Sequence, residues 1–169
     1  MLVFRCTQNL LTRLGEKAIE PPARSTTQLG DWYINLVTTR KHRLLLFVSE
    51  TTCLPVVIKV SELVTIVPRF RVALAEQLGA LGVGAAAIAQ EVDDEGSVAI
   101  AKTASRQVLG VMTDVAFQAK WELEEGPPRE LLQLSLRLSE TPCGPLRYVH
   151  PAEATRTLLA RGVPGERAW

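Results

Sequence analysis

Histidine is nearly missing from this chain: His42 and His150 are its only two, and the three cysteines, Cys6, Cys53 and Cys143, stand far apart. Structural zinc sites draw on close ligand pairs such as CxxC or CxxH, and none occurs. No motif surrounds either histidine, so a histidine general base has no positive support. An odd number of unpaired thiols reads as buried free cysteines in a reducing compartment. Charge of one sign is lacking too. Nineteen basic against eighteen acidic residues leave a net charge of +1, which gives no electrostatic case for wholesale binding to nucleic acid or an anionic membrane. Long apolar runs are also absent. The opening Met1–Phe4 run is cut at Arg5, short of a secretory h-region, and no stretch approaches the roughly 18 unbroken apolar residues of a membrane span. These absences describe a soluble cytoplasmic protein without metal or cofactor. Signatures of catalysis are lacking as well: there is no GxSxG elbow, no GxxxxGK[ST] phosphate loop and no HExxH. The glycines of 79–84 have the wrong spacing for a dinucleotide fingerprint and read as a helix stop.

What is present is the material of a globular domain. Hydrophobic residues make up 47% of 169 positions and charged residues 22%, a composition that can bury a core without staples. Leu2 to Cys6 reads as a short strand and Gln8 to Leu14 as a short helix, with Thr7 as N-cap and Gly15 past the end. Residues 16–28, with Pro21-Pro22 and Ser25-Thr26-Thr27, read as a polar loop. Asp31 to Thr39, Arg43 to Val48 and Leu54 to Lys59 are three strands of a meander, and Pro55 places the third at an edge. Ser61 opens a helical segment broken near Val67, with Pro68 in the first turn of its second piece and Gly82 closing it. Ala85 to Glu91 and Ser97 to Thr103 read as two further strands joined by the acidic turn Asp93-Asp94-Glu95-Gly96. Ser105 caps a helix running to about Glu124, with Leu109, Met112, Ala116 and Ala119 as its apolar stripe. Gly110 in its first turns calls for close packing or a ligand near the backbone. Pro127-Pro128 starts a helix through about Leu138, whose alternating leucines would also suit a strand. Pro151 opens the last helix, with Arg161 in its final turn and Gly162 after it.

Four groups of residues could carry chemistry. Arg5, Thr7 and Asn9 lie where the first strand enters a helix, a place where backbone N–H groups favour an anion. A capped helix with a surface arginine is the plainer reading. Trp32, Tyr33 and Asn35 alternate along one strand, so Trp32 faces one side and the other two the opposite side. Trp32 is then either a core residue or, with Tyr33, a stacking platform for a base. Arg40, Lys41 and Arg43 form the densest basic cluster, solvated on a hairpin tip or contacting phosphate, and Glu50 is placed to pair with one of them. Last come Ser105 and Arg106 with Asp114, where a strand enters a helix and an oxyanion could be received and clamped. Capping alone also explains Ser105.

Several segments together resemble a known family: Arg5-Cys6-Thr7-Gln8-Asn9-Leu10-Leu11, Gly30 to Leu36, Leu45 to Thr51, Ser105 to Asp114 and Glu140-Thr141-Pro142-Cys143. They resemble an uncharacterised bacterial family described as a domain of unknown function, whose members carry RCTxKLL, GDWYANL, LLFVxExTLLPV and RSVLGxMND. This chain departs at Asn9, where the pattern has Lys, and at Thr113, where it has Asn. The resemblance implies a bacterial cytoplasmic setting and one compact domain, and it supplies no reaction.

The expected architecture is one α+β domain over 1–162, a mainly antiparallel sheet of five or six strands with helices packed on it, and a loose tail at 163–169. The leading functional expectation is a non-catalytic interaction module. It would recognise a protein partner, or a phosphate-bearing ligand such as RNA or a nucleotide, through Arg5, Trp32, Asn35, Arg40, Arg43 and Arg106. The alternative is a metal-independent nuclease or other phosphoryl-transfer enzyme of a regulatory or mobile-element system. In it Glu50 or Asp114 would be the base and Arg106 the charge clamp, all converging on one cleft. A third reading assigns these residues to packing alone.

Overall fold

The computed structural model of the chain describes residues 1–15, 17–18, 24–60, 65–93 and 95–161. Its elements follow in the order β1 (Leu2–Cys6), α1 (Gln8–Leu14), β2 (Trp32–Thr38), β3 (Arg43–Ser49), β4 (Pro55–Lys59), α2 (Ile66–Ala80), α3 (Ala85–Val92), β5 (Val98–Lys102), α4 (Arg106–Glu124), α5 (Leu131–Leu138) and α6 (Pro151–Arg161). The sheet has five strands in the order β4-β3-β2-β1-β5. It is an α+β arrangement, as the sequence predicts, but the sheet is mixed. β2, β3 and β4 form the expected antiparallel meander, whereas β1 pairs in parallel with β2 on one side and with β5 on the other. The long connection from β1 through α1 to β2 permits that geometry, since parallel neighbours need a crossover of a dozen residues or more.

The strand predicted at Ala85 to Glu91 is a helix, and this removes the second hairpin. Ala85-Ala86-Ala87 opens α3, alanine being the best helix former, and only Ile88 and Val92 favour a strand. Freed from that hairpin, β5 docks beside β1 with Leu2 against Val98 and Cys6 against Lys102. Pro68 does lie in the first turn of α2, while the expected opening at Ser61 lies outside the described residues. The helix predicted from Pro127-Pro128 starts only at Leu131, because Glu130 keeps an extended backbone. Gly162 and the tail at 163–169 also lie outside the described residues.

Alternation along the strands feeds two cores, one on each face of the sheet. Leu2, Phe4, Trp32, Ile34, Leu45, Phe47, Val56 and Ile58 face Phe70, Leu74 and Leu78 of α2, with α3 and α6 alongside. Phe70 centres this core, its ring lying 5.3 Å from Phe4, 4.9 Å from Trp32 and 4.4 Å from Phe47. The Phe4 and Trp32 contacts are edge-to-face and the Phe47 contact is tilted by 31°, and such aromatic pairs add to the burial of area. On the opposite face Tyr33, Val37, Leu44, Leu46, Val48 and Val57 meet α4 and α5. All three cysteines are buried and unbridged.

β4 is an edge strand, as Pro55 predicts, and two helices close its outer side. The Val57 N–H donates to Ser135 Oγ of α5 at 3.0 Å, and Gln77 Nε2 of α2 donates to the Pro55 carbonyl at 2.9 Å. Buried side chains thus stand in for a sixth strand. Close packing does not explain Gly110: a Cβ there would meet nothing within 4 Å.

Candidate functional site

Because Cys6 lies against Lys102, the turn from β1 into α1 and the turn from β5 into α4 are neighbours on one edge of the sheet. The chain leaves β1 for β2 on one side, and β5 flanks it on the other, the sort of reversal beside which open parallel sheets bind ligands. Thr7 caps α1 by accepting from the Leu10 N–H, and Ser105 caps α4 by accepting from the Val108 N–H. Asn9 and Arg106 are exposed there. Two of the four groups singled out in the sequence therefore meet.

Beneath them the arginine is already engaged. Arg5 donates from Nε to Asp31 Oδ2 at 2.6 Å and from Nη1 to the Lys102 carbonyl at 2.9 Å. Asp31 Oδ1 also accepts from the Ser25 N–H at 2.8 Å. One buried ion pair thus ties the start of β2 and the end of β5 to β1. The phenol of Tyr33, fully buried, accepts from the Ser105 N–H at 3.0 Å and fixes the start of α4 to the sheet.

The remaining candidates lie elsewhere. Trp32 is fully buried against Phe70, so its ring contributes no surface, and its Nε1 has no hydrogen-bond partner among the described residues. Asn35 is half-buried on the Tyr33 face, and its Oδ1 accepts from the adjacent Leu36 N–H. Before this strand Gly30 has φ +73°, and a Cβ would come within 2.7 Å of Thr51 Oγ1, so only glycine fits the close approach. Glu50 pairs with Arg24 at 3.8 Å rather than with the hairpin cations, and its N–H donates to the Asp31 carbonyl. Arg40, Lys41 and Arg43 are exposed at the β2–β3 hairpin. Arg40 and Lys41 share a cavity of about 270 Å³ with Glu124 and Glu125, so acidic groups and the negative end of α4 already face them. Asp114, exposed on α4, lies two turns beyond Arg106, about 12 Å along the axis at the usual rise.

Several structural devices escaped the sequence reading. Glu91 of α3 is buried and accepts from the N–H groups of Gln28 at 2.8 Å and Leu29 at 3.0 Å. Burial pushes its carboxyl above the ordinary range, and these two hydrogen bonds oppose the shift. Arg71 of α2 donates to the carbonyls of Val92, Asp93 and Gly96, clamping the turn between α3 and β5. Buried hydroxyls run from Thr155 of α6 through Thr52 to Ser49, which donates to the Leu29 carbonyl. All three groups are anchored by backbone atoms distant in sequence, which no local pattern reveals.

Helix α4 also carries an exposed aromatic pair that no motif of the sequence marks. Phe117 and Trp121 fall outside the apolar stripe of α4, one turn apart, and are 73% and 56% exposed. Beside them a cavity of about 390 Å³ is lined by Gln118, Arg137, Leu138 and Thr141. Thr141 Oγ1 donates to Gln118 Oε1 at 2.9 Å, and buried Glu122 holds both Arg129 and Arg137 at 3.3 Å. Neighbouring polar side chains are thus fixed in place around an apolar opening.

Among the described residues no helix is long and apolar enough to cross a membrane. Neither a curated protein nor a solved structure matches the chain. A family model does, over residues 3–154, which takes in both strand–helix junctions, the Arg5–Asp31 pair and the whole aromatic face. The chain belongs to the family described as Domain of unknown function (DUF6933).

Proposed function

We propose that the protein is a non-catalytic interaction module of the bacterial cytoplasm, and that it recognises a protein partner through the exposed face of α4. The observation that carries this reading is the pair Phe117 and Trp121, open to solvent one turn apart beside an apolar cavity. Aromatic anchors ringed by ordered polar groups are what protein interfaces use for most of their binding energy. Arg137, Gln118 and Thr141 supply such a rim. The test is affinity capture from a lysate of the host bacterium with the wild type and a Phe117→Ser/Trp121→Ser variant of unchanged melting temperature. A partner held by the wild type and lost from the variant is the expected result. Equal capture by both proteins overturns the reading.

A phosphate-bearing ligand, RNA or a nucleotide, is the second reading, favoured by the adjoining starts of α1 and α4 with Arg106 exposed between solvent and the Ser105 cap. Anisotropy titration with labelled RNA, with Arg106→Ala as comparison, tests it. A nuclease or other phosphoryl-transfer enzyme has less to support it. The Glu50 carboxylate pairs with Arg24, and Asp114 stands two turns from Arg106.

A further inference from the structure

Cys53 and Cys143 come from distant parts of the chain and meet on one cavity. Cys53 occupies the turn between β3 and β4 with φ +56°, its N–H donating to the Ser49 carbonyl at 3.0 Å. Cys143 precedes a single 3-10 turn, Gly144–Leu146, in the segment between α5 and α6. Both are buried and unbridged, and both line a cavity of about 400 Å³ together with Gly110, Asp114 and Gln118. Both belong to the core between the sheet and helices α4 and α5. Burial, together with the neighbouring Cys143, pushes the Cys53 thiol up to about 12, so Cys53 stays a thiol.

We infer that Cys53 and Cys143 form a redox-active dithiol, which closes to an intramolecular disulfide when a peroxide reaches it through the cavity. Cys143 sulfur attacks one peroxide oxygen; the O–O bond breaks, leaving a sulfenic acid on Cys143 and a hydroxide that takes up a proton and departs as water. Cys53 sulfur then attacks the Cys143 sulfur, the S–O bond breaks, and the Cys53 proton leaves with the hydroxyl as a second water. Two thiols lose two electrons, and the peroxide gains them. The segment holding Cys143 is built of turns, with Arg147 and Tyr148 both at positive φ, and Cys53 also sits in a turn, so neither thiol belongs to a helix or strand. Cys6 belongs to the opposite core and takes no part.

The test is exposure of the full chain to hydrogen peroxide, followed by thiol counting in denaturant, intact mass and peptide mapping. The expected product has lost two thiols and about 2 Da, carries a Cys53–Cys143 linkage and is restored by dithiothreitol. Cys6→Ser should respond as the wild type does, whereas Cys53→Ser and Cys143→Ser should form no internal bridge. Should either of those variants fail to fold, the Cys6→Ser protein alone decides the matter by its mapped linkage. Three thiols still titratable after oxidation, a linkage through Cys6, or cross-linking only between chains would each overturn the inference.

Discussion

Arg5 Nε and Asp31 Oδ2 lie 2.6 Å apart, with only 3% and 2% of the two side chains exposed, between β1 and the start of β2. A guanidinium and a carboxylate taken out of water together are stable only while both remain, since either alone is an uncompensated buried charge.

Replacing one partner should therefore cost far more than replacing both. Arg5→Met is expected to destabilise by about 3–5 kcal/mol. The Arg5→Met/Asp31→Leu double variant should lose less than the two single losses combined. Urea denaturation of all four proteins measures the coupling, and additive losses would show that the pair is not a unit.

Ser135→Ala should expose the weakness of the β4 edge. The Val57 N–H would lose its partner while staying buried, a loss of about 1–3 kcal/mol. Thermal denaturation checks the size, and amide exchange at Val57 should accelerate ahead of exchange elsewhere in β4. Unchanged exchange at that amide would mean the hydroxyl does not seal the edge.

Glu91 gives the fold a pH dependence of unusual sign for a carboxylate. Its folded value is raised above the ordinary 4.5, so the folded state binds the proton more tightly than the unfolded chain. Its contribution to stability is then fully present below 4.5 and is lost as pH rises through the raised value. Stability measured against pH for the wild type and Glu91→Gln should show the wild-type advantage shrinking as pH increases through that window. An advantage that grows would reverse the assignment.

Tyr33→Phe removes one oxygen and leaves the ring. The Ser105 N–H then has no acceptor, and the start of α4 is tied to the sheet by packing alone. A loss of about 1–2 kcal/mol is expected, with faster exchange confined to the first turn of α4. Uniformly faster exchange would mean the phenol matters only to global stability.

Much of this architecture could be read without coordinates. Capping by Thr7 and Ser105, the left-handed Gly15 and the edge position of Pro55 follow from local chemistry, and the structure has each in place. Ala85 to Glu91 suits a strand by its apolar run, which satisfies both periods, but its alanines favour the helix that forms. Parallel pairing of β1 with β5 was invisible, since nothing local records which strand a distant segment will join. The candidate site divides along the same line. Sequence located the two helix starts but could not show that they adjoin, nor that Arg5 had an internal partner in Asp31.

The placement of β1 between β2 and β5 also bears on how the chain reaches this state. β1 precedes the other four strands in the sequence, and its partner β5 follows 96 residues after it. The meander of β2 to β4 can assemble from local contacts, but β1 keeps an open flank until β5 has emerged. Closure across so long a loop is slow, and an unpaired strand is a template for pairing between chains. Shielding β1 during synthesis is therefore the vulnerable step in making this protein.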